Sequence, residues 1–291
     1  MRVFIALLHV LSKLPYRMQI WCGNGLGRLL YVLITPRRRI TLRNLELCFP
    51  HWDAAQRERV ARAHFRAWAR AFLDRGLMWF APREQLEQLI RVEGIEHLNA
   101  AMPANSGRPL IIVVPHFVGL DAGGMAYSMQ YQGVSMYSEQ KNKVLDAQLR
   151  AGRARFNAPE LYSRSDGIRP VVRALKKGLP YFVLPDMDLG AADAVFVDFL
   201  GVKAATVTVV PKLARMVNAQ VIGLVTTFAP DGSGYVARYY PGWPGNDDAD
   251  ETVATRAMNA FIEARVLEAP EQYYWVHKRF KTRPPGEAPL Y

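Results

Sequence analysis

From about residue 92 onward, short apolar runs rich in β-branched and aromatic residues alternate with stretches of helical periodicity, and this alternation limits the folds open to the chain. "PLIIVV" (109–114), "LPYFVL" (179–184) and "QVIGLVTTF" (220–228) are too short for helices and read as buried strands. "NKVLDAQLRAGRARF" (142–156), "IRPVVRALKKG" (168–178), "TVVPKLARMVN" (208–218) and "DETVATRAMNAFIEARVLEA" (250–269) read as helices, the second stopped by Gly178. The pattern predicts an α/β fold, a central mixed sheet with helices on both faces. "YYPGWPGNDDAD" (239–250) reads as a turn-rich loop, and "KTRPPGEAPLY" as a short C-terminal tail.

The first 90 residues are different in kind. Val3 to Leu11 and Ile20 to Ile34 are apolar, but Lys13, Pro15, Arg17 and Arg28 interrupt them, so neither offers the roughly 20 unbroken residues of a membrane span. No small-x-small cleavage site follows the first run, which argues against a signal peptide. The expectation is a helical membrane-associating segment, residues 1–40, lying on a bilayer with Arg37, Arg38, Arg39 and Arg43 at its edge; a solvated basic loop is the plain alternative. Residues 41–291 form the second unit, helical to about 90 and α/β from 91 to 280. From Asp53 to about Phe80, Phe65, Trp68, Ala69, Phe72 and Leu73 recur at helical spacing opposite Arg59, Arg62, Arg66 and Arg70, and such a stripe more commonly packs a core than enters a membrane.

Charge narrows the partners. With 37 Lys and Arg against 26 Asp and Glu, the net charge of +11 favours polyanions: nucleic acid, anionic headgroups or phosphorylated substrates. Cys22 and Cys48 are the two cysteines, without metal-ligand spacing to a histidine, so neither a disulfide framework nor a zinc site is supported, and no cofactor is called for.

Ligands of open α/β sheets bind beyond the carboxyl ends of the strands. His116 and Asp186 each follow a predicted strand after a proline, in "IIVVPH" and "YFVLPD", and are expected to meet at one edge of the sheet. Asp121 lies five residues beyond His116 across a turn into a helix, with Gly119, Gly123 and Gly124 allowing close backbone approach. It is the expected hydrogen-bond acceptor for one ring nitrogen, leaving the other to take a proton. There is no GxSxG elbow and neither cysteine is near in sequence, so the nucleophile is expected to be a hydroxyl on the substrate.

"LRNLELCFP" (42–50), "VEGIEHL" (92–98), "VVPHFVGLD" (113–121), "GRARF" (152–156), "GIRPVVRALKKGLPYFVLPDMDLG" (167–190), "VFVDFLGVKAATVTVVPKLAR" (195–215) and "QYYWVHKRFKTRP" (272–284) together resemble the bacterial lipid A biosynthesis acyltransferase family. The resemblance implies a glycerolipid-acyltransferase-like fold and transfer of a fatty acyl chain from acyl carrier protein, less often coenzyme A, to a hydroxyl of a phosphorylated glycolipid acceptor. It implies His116 as base with Asp121, where this family more often has Glu and the wider glycerolipid group has Asp. Arg153 takes the place of the family's site arginine, a binder of substrate phosphate or developing charge. Asp186 is implied to orient Arg153 or the acceptor, Asp188 competes for that role, and His277 is structural or touches a headgroup. The setting implied is the cytoplasmic face of the inner membrane, in contact with its lipids and not with nucleic acid. A nucleic-acid-binding protein leaves the apolar N-terminus unexplained, a non-catalytic membrane scaffold has no use for the glycines around His116, and another membrane-lipid O-acyltransferase would share the His-Asp chemistry.

Overall fold

The computed structural model describes residues 1–291. Four helices come first: α1 (Arg2–Leu11), α2 (Tyr16–Leu33), α3 (Thr35–Cys48) and α4 (Ala54–Phe80). Asp53 caps α4, its side chain accepting from the Gln56 N–H at 2.6 Å. There follow α5 (Arg83–Leu89), β1 (Ile90–Glu93), α6 (Ile95–Ala101), α7 (Pro103–Ser106), β2 (Leu110–Val113), α8 (Leu120–Ser128), β3 (Val134–Tyr137), α9 (Lys143–Arg153), β4 (Glu160–Ser163), α10 (Arg169–Lys176) and β5 (Tyr181–Val183). A hairpin of β6 (Ala194–Phe199) and β7 (Val202–Val207) leads to α11 (Val209–Val217), β8 (Gln220–Phe228), β9 (Tyr235–Tyr240) and α12 (Glu251–Glu268).

Seven strands form one sheet in the order β1-β9-β8-β2-β5-β3-β4, parallel throughout except for the β8–β9 pair. The expected mixed sheet is present, and the three predicted strands are β2, β5 and β8 at its centre. Residues of β2 alternate between two apolar layers because successive side chains of a strand point to opposite faces. Ile111 and Val113 join Leu175 of α10, Leu213 of α11 and Ile262 of α12, whereas Leu110 and Ile112 join Leu77 of α4, Leu98 of α6 and Met125 of α8. Helices therefore cover both faces, and a strand buried on both sides is apolar without alternation.

The aromatic stripe of α4 is core: Phe65, Ala69 and Leu73 are buried. The N-terminal helices are built into this core rather than appended to it. Leu8 is fully buried, and α2 lies so close to α4 that a Cβ on Gly23 or Gly27 would stand 2.7 Å from the Arg70 Cα or 2.5 Å from the Arg66 Cα. Arg37, Arg38, Arg39 and Arg43 lie on α3, not in a solvated loop. Arg37 and Arg43 donate to the backbone oxygens of Val276 and Leu290. No helix is long and apolar enough to cross a membrane. The outer surface of α1 and α2 is nevertheless apolar: nine of the fifteen exposed large hydrophobic residues lie within residues 1–33, with Val3 83% and Trp21 82% exposed.

The expected tail folds back. Tyr291 donates through its hydroxyl to Asn44, and its own hydroxyl oxygen accepts from the Phe280 N–H at 3.2 Å. Arg283 donates to the Lys203 carbonyl.

Candidate active site

The register of the two central strands builds the site. β2 and β5 are parallel neighbours with Val113 opposite Val183, so the residues three positions further on, His116 and Asp186, arrive side by side. Asp186 is fully buried at its side chain and binds His116 twice. Its Oδ1 lies 2.6 Å from His116 Nδ1, and its Oδ2 accepts the His116 backbone N–H at 2.8 Å. Burial raises the Asp186 carboxyl, but the imidazole beside it and the two hydrogen bonds outweigh this and hold it below the usual carboxylate range. An ionised carboxylate only accepts, so His116 Nδ1 carries a proton, and Nε2 makes no hydrogen bond within the protein. The His116 side chain is 21% exposed.

The wall behind the imidazole comes from residues 273–277. The Tyr274 N–H donates to the His116 carbonyl at 2.9 Å, and the two rings lie 6.0 Å apart. Burial, then the charge of Asp186, hold the Tyr273 phenol well above its ordinary value, so it is neutral. His277 is neutral. Burial, then Arg279, bring it down to about 4, and its Nε2 accepts the Asp188 N–H at 3.0 Å. Asp188 is 4% exposed, and its oxygens accept from the Gly190 N–H and from the Thr282 N–H and hydroxyl. Those four bonds make it a clasp between the β5 loop and residues 277–282.

Asp121 does not pair with His116. It is the second residue of α8, and its oxygens go to two guanidiniums, Arg75 Nε of α4 at 2.9 Å and Arg153 of α9 at 3.5 Å. Burial raises this carboxyl as well, but Arg75 and then Arg153 hold it below the usual range. The two carboxylates thus stand with the expected partners exchanged: Asp186 takes the histidine expected of Asp121, and Asp121 takes the Arg153 expected of Asp186. Register decides the first. The helix decides the second, because its first turn carries Asp121 toward α4 and α9.

Of the three glycines, two have a packing reason. A Cβ on Gly119 would stand 2.5 Å from the Thr226 carbonyl oxygen and one on Gly123 2.1 Å from Thr226 Oγ1, so both let α8 lie against β8, whereas Gly124 meets nothing within 4 Å. Arg75 and Tyr274 escaped the sequence reading. Arg75 belongs to a helix read for its core stripe, and only the Tyr-Tyr-Trp run near His277 hinted at an aromatic wall.

The whole chain has relatives. The model of the family described as bacterial lipid A biosynthesis acyltransferase matches residues 2–282. A lipid A biosynthesis lauroyltransferase of Escherichia coli (strain K12) is 35% identical over 97% of this chain and 91% of its own length. The lipid A biosynthesis palmitoleoyltransferase of the same organism is 32% identical over 99% and 92%, and its myristoyltransferase 31% identical over 91% and 82%.

Proposed function

Because the chain belongs to the bacterial lipid A biosynthesis acyltransferase family, we propose that it moves a fatty acyl group from acyl carrier protein to a hydroxyl of a lipid A precursor, with His116 as general base. The observation that carries this reading is the imidazole itself, locked at Nδ1 by a buried ionised carboxylate and open at Nε2. Nε2 takes the acceptor hydroxyl's proton as the oxygen attacks the thioester carbonyl. Asp186 stabilises the imidazolium, the tetrahedral intermediate collapses with expulsion of the thiolate, and that sulfur recovers the proton from Nε2. The products are an ester and a thiol. A base of this kind contributes about 10² to 10⁴ in rate. Arg153 supplies positive charge for the anionic groups of the reactants.

The enzyme works on the cytoplasmic face of the inner membrane, where the donor is available and the acceptor is embedded. The exposed apolar surface of α1 and α2, with Val3, Val10, Trp21, Val32 and Leu33, supports attachment through these helices. Since α1 and α2 share the core with α4, deleting residues 1–36 would unfold the protein, and attachment is better tested by surface substitution. A Trp21→Glu, Val32→Glu protein should lose co-sedimentation with anionic phospholipid vesicles while keeping its Tm; unchanged sedimentation would place the anchor elsewhere.

The decisive experiment follows acyl transfer from an acyl carrier protein thioester to a detergent-dispersed lipid A precursor by the purified enzyme. Mass spectrometry of lipid A from cells with and without the gene complements it. Loss of one acyl mass from the lipid A identifies chain and acceptor together. No transfer in vitro and unaltered lipid A in cells would remove the proposal in favour of another O-acylated membrane lipid.

A further inference from the structure

Arg75 has no place in the chemistry just described, yet its position is strongly constrained. Its neighbour Asp74 is 1% exposed and accepts from the Tyr235 hydroxyl of β9 at 2.7 Å and from the Tyr16 hydroxyl at 3.3 Å, which fixes the rotation of α4 at this point. The guanidinium of Arg75 lies 5.3 Å over the Phe72 ring. It offers Nε to Asp121, and its two terminal nitrogens make no hydrogen bond. Arg153 approaches the other oxygen of Asp121 at 3.5 Å and makes no hydrogen bond to other protein groups. The side chains of Arg75 and Arg153 are 36% and 41% exposed.

Two cations around one ionised carboxylate leave a surplus of one positive charge, with unpaired N–H groups from two planar forks. Asp121 relieves the repulsion between the guanidiniums and fixes the spacing between them. Such a pair suits a tetrahedral anion with several acceptor oxygens, which guanidinium groups grip at two points each. Five residues of chain span at most about 17 Å, so the Asp121 backbone lies within that distance of His116.

We infer that Arg75 and Arg153, spaced by Asp121, form a two-guanidinium clamp for a phosphate group of the reactants, with Arg75 a substrate-binding residue and Asp121 its positioning residue. This rests on the acyl-transfer reading above. Two reactants carry such a group: the phosphorylated glycolipid acceptor, and the donor through the phosphodiester of its pantetheine arm.

The test is steady-state kinetics of Arg75→Gln with each reactant varied, using lipid A precursor with its phosphates and the same lipid after phosphatase treatment. A rise in acceptor KM of about tenfold or more, with kcat within about threefold, is expected for the phosphorylated lipid, and wild type and variant should coincide on the dephosphorylated one. If the donor KM rises instead, the clamp stands and the phosphate it holds is the donor's. A fall in kcat with both KM values unchanged would overturn the clamp, as would no effect. Arg75→Lys, which retains charge without the fork, should fall between, and it carries the test if Arg75→Gln does not fold. Equilibrium binding of the phosphorylated precursor to His116→Ala protein, with and without Arg75→Gln, separates this inference from the functional reading. Should wild-type enzyme transfer no acyl group, weaker binding of the precursor or, in the same assay, of the acyl carrier protein thioester on loss of Arg75 still supports the clamp, and equal binding of both removes it.

Discussion

Two carboxylates beside the same imidazole-bearing loop live under opposite conditions. Asp186 is carried by the end of a central strand, is fully buried at its side chain and meets a single histidine through two hydrogen bonds; Asp121 is carried by the first turn of a helix, is 27% exposed and sits between two arginines. Strand register leaves Asp186 little freedom, whereas Asp121 depends on the mutual placement of α4, α8 and α9. A buried pair suits an imidazole held in one tautomer and orientation, and a half-open charged cluster suits a ligand that comes and goes.

The sharpest way to break this contrast is at the proposed base they flank. His116→Ala should lower turnover by about 10² to 10⁴ and also lower Tm, because it leaves the buried carboxylate of Asp186 without its imidazole partner. A residual rate above about a tenth of wild type would end the general-base role. Next comes Asp186→Asn, whose amide can still accept from Nδ1 but sets a donor against the His116 backbone N–H. A fall in kcat of about a hundredfold and a loss of roughly 1–3 kcal/mol in stability are expected. Because the folded carboxyl lies below its unfolded value, its stabilisation is present above about pH 3.9 and lost as pH falls through the folded value. Asp186→Asn should therefore flatten the acid end of a Tm-against-pH curve, and an unchanged slope below pH 4 would contradict the pairing.

On the exposed side the effects are smaller. Arg153→Lys should cost about tenfold in kcat/KM at constant Tm, since Lys lacks the planar fork; near-normal kinetics would return Arg153 to solvent. Asp121→Glu should stay within a few-fold of wild type, because the longer acid can still lie between the two guanidiniums. Smallest is ionic strength: raising salt from about 0.05 to 0.5 M should increase KM severalfold while leaving kcat unaltered, because exposed charges are screened and the buried pair is not. A salt-sensitive kcat would erase the distinction.

The sequence makes the long-range frame legible and hides local exchanges. The strands of the sheet centre are visible because both faces bury apolar side chains, whereas β1, β3, β4, β6, β7 and β9 are edge, short or hairpin strands whose polar residues dilute the signal, as in "AVFVDF". The meeting of His116 and Asp186 follows from two strands that end in the same proline-acid or proline-imidazole step. What cannot be read is which carboxylate takes which partner. That depends on the direction in which α8 leaves the loop, set by the packing of Gly119 and Gly123 against Thr226 rather than by spacing along the chain. Asp188 misleads for a similar reason, since its partner Thr282 lies in a stretch with the composition of a tail.

The folded-back residues 272–291 set a condition on the order of synthesis. Asn44 of α3 is fully buried, donating to the carbonyls of Trp275 and His277 and accepting from the Tyr291 hydroxyl, groups more than 230 positions further along the chain. On the ribosome, at about 5–20 residues per second, α3 therefore waits of the order of ten seconds or more with its buried amide unmatched. The helical first third can collapse early but cannot close. Nascent chains that stall before residue 275 would present that unfinished surface to chaperones, and the apolar outer face of α1 and α2 would be exposed alongside it.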